Sequence, residues 1–280
     1  MRVRINSPSD DYPGSRLWRD DQVRKALSTR LSARGHAMVA EDPEVDLWLC
    51  GWMVRTPDPA IKNIVWIMGH PDQFLEALPI LETLPLLKIF CASQAFTAQL
   101  VAKGLDAHQL PCPPPDRPRI AYSPKYALAF VGNADPRKRR PMLRSCFNEF
   151  PSLVIGQGWG DDYAEFTDWD GLHLAWNQAR IVPYTHHTDM AREGFVAEAA
   201  LDVMANSGAL LLSDYNHGWE NLGIPVPQWE TETELHAMIV HYLEDEEGRA
   251  RLALECQKKA RELNYEHATA VLESAVGTVV

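Results

Sequence analysis

Apolar residues fall along this chain in short unbroken runs. Between most of those runs lies a longer stretch in which they recur every three or four positions. The runs at 2–6, 36–40, 45–50, 62–68, 87–92 and 108–111 have the length and side-chain types of buried strands. The stretch 18–34 places Trp18, Val23, Ala26, Leu27 and Leu31 on one helical face and stops at Gly35. The stretch 74–84 reads as a helix interrupted at Pro79, and 94–103 as a helix that Gly104 stops. The pattern breaks at 111–118, PCPPPDRP, because proline this dense cannot enter a sheet interior and stiffens a linker.

Beyond the linker the alternation restarts. A strand at 126–131 precedes a helix that begins between Pro136 and Pro141 and runs to 149. A strand at 153–155, a glycine-rich loop at 156–160 and a short helix at 174–177 follow. Next comes the unit on which the second half is organised: strand 179–183, closed by Pro183; a polar stretch 184–192 without period; a helix from Glu193 or Gly194 to Asn206, ended by Gly208; and a buried strand 209–213. Helices at 232–243 and 246–263 finish the chain. Alternating strands and helices predict a doubly wound parallel sheet on each side of the linker. We therefore expect an α/β protein of two domains, 1–118 and 119–280, facing each other across a cleft between the carboxyl edges of their sheets, where ligands bind in such folds.

Composition narrows the class. An apolar content of 46% and a charged content of 23% over 280 residues describe a globular chain. No apolar run approaches a membrane span, and the opening MRVRINSPSDDYPG lacks the apolar core of a signal peptide, so a cytoplasmic location is expected. Five scattered cysteines without a CxxC read as reduced thiols. A net charge of −11 argues against general nucleic-acid binding but leaves room for the local basic cluster Arg137-Lys138-Arg139-Arg140. The first strand is followed by SPSDD rather than a GxGxxG, which excludes a nicotinamide-type site there.

Several motifs in the second half share an order with a known family. Glu193-Gly194-Phe195, Asp202-Val203-Met204-Ala205, Gly208 and Leu210-Leu-Leu-Ser-Asp214 resemble the donor-site segment of GT-B glycosyltransferases. Phe130-Val-Gly-Asn133 with Arg139 and Arg140, and Glu234-Leu-His with Tyr242-Leu-Glu-Asp and Arg249, resemble the CgeB-like (spore maturation protein-like) group-1 transferases of that fold. The resemblance runs from Tyr126 to the end. It implies two Rossmann-like domains, an N-terminal one for the acceptor and a C-terminal one for a nucleoside diphosphate-sugar, with the last helix packing back on the first domain. That sugar nucleotide would be a substrate, with no resident cofactor and no metal.

The chemistry such a donor demands can be assigned to residues. A diphosphate needs cations or N–H donors, and guanidinium groups suit its geometry. The resemblance selects Asn133, Arg139 and Arg140 for this, with Gly194 at the helix start. It places Asp202 where these enzymes carry a ribose-binding glutamate, with Glu193 near the position of a second acid, and it sets Trp159 near the base, to stack or to pack. His186 or His187 would touch the sugar; adjacent histidines in an extended loop point apart, so one metal ion seldom takes both. An inverting transferase also needs a base for the acceptor hydroxyl. Asp11, His70 and Asp72 lie in first-domain loops, and Gly69-His-Pro-Asp72 resembles the family's His/Asp-bearing region. The expected acceptor is a glycan, a lipid-linked sugar or another hydroxyl compound, the lipid-linked case bringing peripheral membrane contact. A GT-B nucleotide-sugar epimerase and a non-catalytic nucleotide-sugar-binding protein are the alternatives.

Overall fold

The computed structural model describes residues 1–8, 19–49, 57–84, 87–135, 138, 140–159 and 169–277. The chain divides into two compact units. One comprises Met1–Pro115, Glu193–Glu198 and Leu263–Val280; the other comprises Asp116–Arg192 and Ala199–Glu262.

Unit 1 is built on a parallel sheet of β1 (Arg2–Asn6), β2 (Ala37–Met38), β3 (Val45–Leu49), β4 (Lys62–Ile67), β5 (Leu87–Cys91) and β6 (Ala107–Gln109), in the order β2-β1-β3-β4-β5-β6. Helices α1 (Arg19–Ala33), α2 (Pro71–Leu81) and α3 (Gln94–Ala102) connect the strands. The central strand β4 is buried on both faces, as strands covered on two sides must be. Its one buried polar residue, Asn63, is fully satisfied: it accepts from Trp48 Nε1 at 3.1 Å and donates to the carbonyls of Asp58 and Ile61. Pro79 lies inside α2 rather than interrupting it. The helix then ends at Leu81, two residues on and short of the expected 84.

Unit 2 repeats the plan. Its strands are β7 (Tyr126–Val131), β8 (Ser152–Ile155), β9 (Ala179–Tyr184), β10 (Leu210–Asp214) and β11 (Gln228–Trp229), all parallel in the order β8-β7-β9-β10-β11. After β7 a 3-10 turn at Arg140–Met142 leads into α4 (Leu143–Glu149). The remaining helices are α5 (Trp169–Asn177), α6 (Thr188–Arg192), α7 (Glu198–Asn206), α8 (Gly218–Asn221), α9 (Glu232–Glu244) and α10 (Glu246–Glu262). The stretch read as aperiodic thus contains α6, and the helix expected from 193 or 194 starts only at Glu198. Five residues are too few for a periodic signal, which is why α6 escaped the pattern. Helix α9 starts where expected, on a capping box in which the Thr231 hydroxyl accepts the Glu234 amide and the Glu234 carboxylate accepts the Thr231 amide.

Helix α10 stays in unit 2. A separate helix, α11 (Tyr265–Gly277), packs in unit 1 against α1, where Tyr265, Ala268, Leu272 and Ala275 join Val23, Leu27 and Leu31 in one buried cluster. The returning element is therefore α11, not the 246–263 helix. The chain breaks helicity at Leu263–Asn264, and the Asn264 side chain accepts the His267 amide to start α11.

Candidate functional site

In their own strand order the two sheets run 2-1-3-4-5-6 and 2-1-3-4-5, so each reverses direction beside its first strand. In unit 2 that point lies between β7 and β9. Among the described residues the two strands are paired only as far as Leu128–Ile181, although β7 continues to Val131 and β9 to Tyr184. The hydrogen-bonded ladder therefore lapses at the carboxyl end of the switch point, and the crevice at such a point is the opening where open α/β sheets receive ligands. Pro183 falls in this unzipped part, facing Leu212 of β10, so its missing N–H breaks no β7 ladder.

The loops around this opening are tightly built. Gly132 and Gly156 both have positive φ, at 150° and 145°, and a Cβ on Gly156 would lie 2.2 Å from the Gly132 carbonyl oxygen. Only glycine lets the loops after β7 and β8 come this close. Asn133 Oδ1 accepts the Gln157 amide at 2.9 Å, and Trp159 Nε1 donates to the Gly132 carbonyl at 2.7 Å. Trp159 is 4% exposed, with its ring edge-on to Phe130 and Phe147. It packs, and that resolves its two readings.

Arg140 stands across the Phe130 ring at 5.2 Å and donates through Nη1 to the Asn133 carbonyl. Its Nε is buried without a partner. Burial lowers the pKa of this guanidinium, against the opposing pull of Tyr184 and Asp135. An isolated antiparallel bridge joins Lys138 to His187, tying the loop after β7 to the loop after β9. Just before it, Thr185 Oγ1 and His186 Nε2 are buried without partners, and the Trp229 indole N–H at the end of β11 is a further such atom. Among the described residues, every one of these unmatched polar atoms of unit 2 is carried at the carboxyl end of its sheet. Buried polar groups are nearly always satisfied, so this concentration marks a place built for something more than packing.

No protein-family model matches the sequence, and no curated protein matches it. Solved structures do match its fold. The T4 phage β-glucosyltransferase bound to UDP and Mn2+ superposes with a TM-score of 0.62 at 10% identity, covering 99% of this chain and 100% of that one. Anabaena Alr3699/HepE bound to UDP-glucose gives 0.64 at 10% identity, with 99% of each chain covered. AviGT4, a glycosyltransferase of avilamycin A biosynthesis, gives 0.59 at 14% identity, covering 98% and 96%. The fold is that of the GT-B glycosyltransferases.

Within this GT-B fold the expected site residues separate. Asn133, Arg140, Trp159 and His187 all belong to the loops around the unit 2 opening. Glu193 and Gly194 belong to unit 1 instead. There the Glu193 carbonyl accepts from Ser93 Oγ at 2.5 Å, and its carboxylate accepts from Gln99 at 2.7 Å. Phe195 beside them is wholly buried against Phe96. Asp202, in the second turn of α7, is also fully buried. Arg117 grips both its oxygens at 2.8–3.0 Å, and Asn206 adds a bond at 2.9 Å. These bonds occupy the carboxylate's acceptor positions. Asp202 therefore stands as an internal partner of the linker arginine rather than an open ribose acceptor. The partner comes from the linker, about 85 residues earlier in the chain, where no local pattern pairs it with α7.

In unit 1, His70 and Asp72 lie after β4. His70 holds a left-handed backbone, φ 54° and ψ 56°, and precedes Pro71 at the start of α2, with Asp72 in the helix's first turn. Such a conformation costs a non-glycine residue about 1 kcal/mol or more. Asp11 and Arg139 lie outside the described residues. No group of three His, Cys, Asp or Glu side chains among the described residues is arranged to hold a metal ion, and none of the described helices is long and apolar enough to cross a membrane.

Proposed function

We propose that this protein transfers a sugar from a nucleoside diphosphate donor to a hydroxyl acceptor. The observation that carries the reading is the opening between β7 and β9, bordered by Arg140, Lys138 and a set of buried, unmatched polar atoms, in a fold shared with glycosyltransferases solved with UDP or UDP-glucose. An anion entering there meets a guanidinium partly withdrawn from water and held against Phe130, which strengthens its attraction to phosphate. Arg140 and the neighbouring basic residues, Arg139 included, would hold the diphosphate without a metal ion and stabilise the charge that grows on it as the sugar leaves. His187 would border the sugar. The CgeB-like affiliation rests on the motif order from Phe130 to Arg249.

Unit 1 would hold the acceptor, a glycan or lipid-linked sugar. His70 is the base we favour, with Asp72 and Asp11 as the other first-domain candidates, because its strained backbone is the kind of cost that packing alone does not require. Asp202 takes no part in this proposal beyond holding Arg117.

A thermal-shift screen of nucleotide sugars tests it, since a ligand of the folded state raises the melting midpoint by mass action. At least one donor should stabilise the protein and be consumed with acceptor in EDTA. Product made only when a divalent ion is restored would remove the metal-free part. A donor isomerised at the sugar without any acceptor would make the protein an epimerase, and binding without turnover would make it a carrier. Replacing Arg140 with Ala should weaken donor binding by roughly ten- to a hundredfold, as loss of a charge-assisted contact does.

A further inference from the structure

The imidazole of His186 is fixed from behind. Its Nδ1 lies 2.7 Å from Asp214 Oδ1, and the same carboxylate accepts the His186 backbone amide at 3.0 and 3.1 Å. A carboxylate can only accept, so Nδ1 carries the proton and Nε2 is the free end of the ring. The side chain is buried, with its ring edge-on to Tyr184 at 5.0 Å and to the fully buried Trp219 at 6.0 Å. Trp219 is itself locked, donating to Ser213 Oγ at 2.9 Å. Nε2 has no partner. A ring held this firmly on one side and left unmatched on the other is not explained by packing, because an unmade buried hydrogen bond is a standing cost.

Its position says what it awaits. His186 lies two residues past the end of β9, and is adjacent to the residue that bridges to Lys138. The cations Lys138 and Arg140 lie on the loop across that bridge, so an anion gathered by that loop is the ligand chemistry nearest in the fold to the loop that carries His186. We propose that His186, positioned by Asp214, donates an Nε2–H hydrogen bond to a phosphate oxygen of the donor's diphosphate. With Nδ1–H already given to Asp214, the bond to phosphate needs a second proton on Nε2, taken up together with the anion. The ring would then act with Arg140 on the leaving diphosphate. This inference rests on the donor reading given above and adds a phosphate ligand to it.

Two substitutions separate the ends of the ring. His186→Asn keeps a donor near the Nδ1 position for Asp214 and removes the outward group. His186→Gln keeps a donor near the Nε2 position. The probe is whichever of UDP, ADP, GDP and dTDP stabilises the wild-type protein most, together with its parent nucleoside. The expected result is that His186→Asn binds the diphosphate at least about tenfold more weakly, with nucleoside binding unchanged, and that His186→Gln recovers most of the loss. Diphosphate binding by His186→Asn equal to wild type would overturn the inference and leave the donor reading standing. So would an equal loss for diphosphate and nucleoside, which marks a structural role. Should none of the diphosphates bind the wild-type protein, the donor reading itself fails and this inference with it.

Discussion

Single residues carry more of this structure than their types suggest. Arg117 and Asp202 form a doubly bonded ion pair with side chains 9% and 0% exposed. Removing one member strands a buried charge, which costs about 3–5 kcal/mol, whereas replacing both with apolar side chains of similar volume is often close to neutral. Arg117→Ala should therefore be strongly destabilised in urea unfolding, and Arg117→Met with Asp202→Leu should recover much of the loss. Gly208 teaches a related lesson. Its position after α7 reads as a helix stop, yet its φ is not positive. What requires glycine is space: a Cβ would lie 2.5 Å from the Tyr122 ring. Gly208→Ala should lower stability by displacing Tyr122, and Tyr122→Ala in the same chain should relieve part of that cost. Burial also pushes the Cys91 and Cys256 thiols up to about 12. Neither should react with a thiol reagent at pH 8 until the chain is unfolded, as mass mapping of the label would show.

At the scale of elements, α11 shows how a surface helix is held. Its apolar face fills the α1 side of the unit 1 core, and its polar face pairs Glu266 with Arg30 and Arg34, and Glu273 with Arg34 and His36. The His36 contact and then Arg34 hold the Glu273 carboxyl below its ordinary pKa, and Arg34 does the same for Glu266. A carboxylate with a lowered folded pKa adds stability above its unfolded value, near 4.3, and loses it as pH falls through the folded value. These pairs are exposed and their contribution is small. The stability difference between wild type and Arg34→Ala should accordingly narrow below about pH 4 and shrink in high salt, measured by thermal unfolding.

For the molecule as a whole, contiguity along the chain and membership of a unit are different things. Unit 1 takes Glu193–Glu198 and Leu263–Val280 in addition to Met1–Pro115. A fragment ending at Pro115 would lack Tyr265, Ala268, Leu272 and Ala275, and would expose the faces of Leu27 and Leu31 that they cover. We expect that fragment to be collapsed or aggregated, without the dispersed amide spectrum of a folded domain. Adding 263–280 in trans should restore some of that dispersion, whereas a well-dispersed spectrum from the fragment alone would contradict this view of its core.

What the chain's own pattern determined is the order and kind of its main elements. Strand runs such as 62–68 and 87–92, the helix at 94–103 and the capped helix at 232 are written in local periodicity and local stops, and local hydrogen bonds are enough to realise them. The same holds for the glycines after β7 and β8 and for Arg140 at the next turn, which is why that part of the candidate site was legible. The tertiary structure alone decided which distant groups meet. Asp202 met the linker arginine instead of standing open, Glu193 joined unit 1 instead of the donor helix, and Asp214 came to hold His186. Each of those outcomes depends on a partner that lies far along the chain or across a turn, and neither propensity nor spacing encodes the approach of two side chains that only the packed sheet brings together.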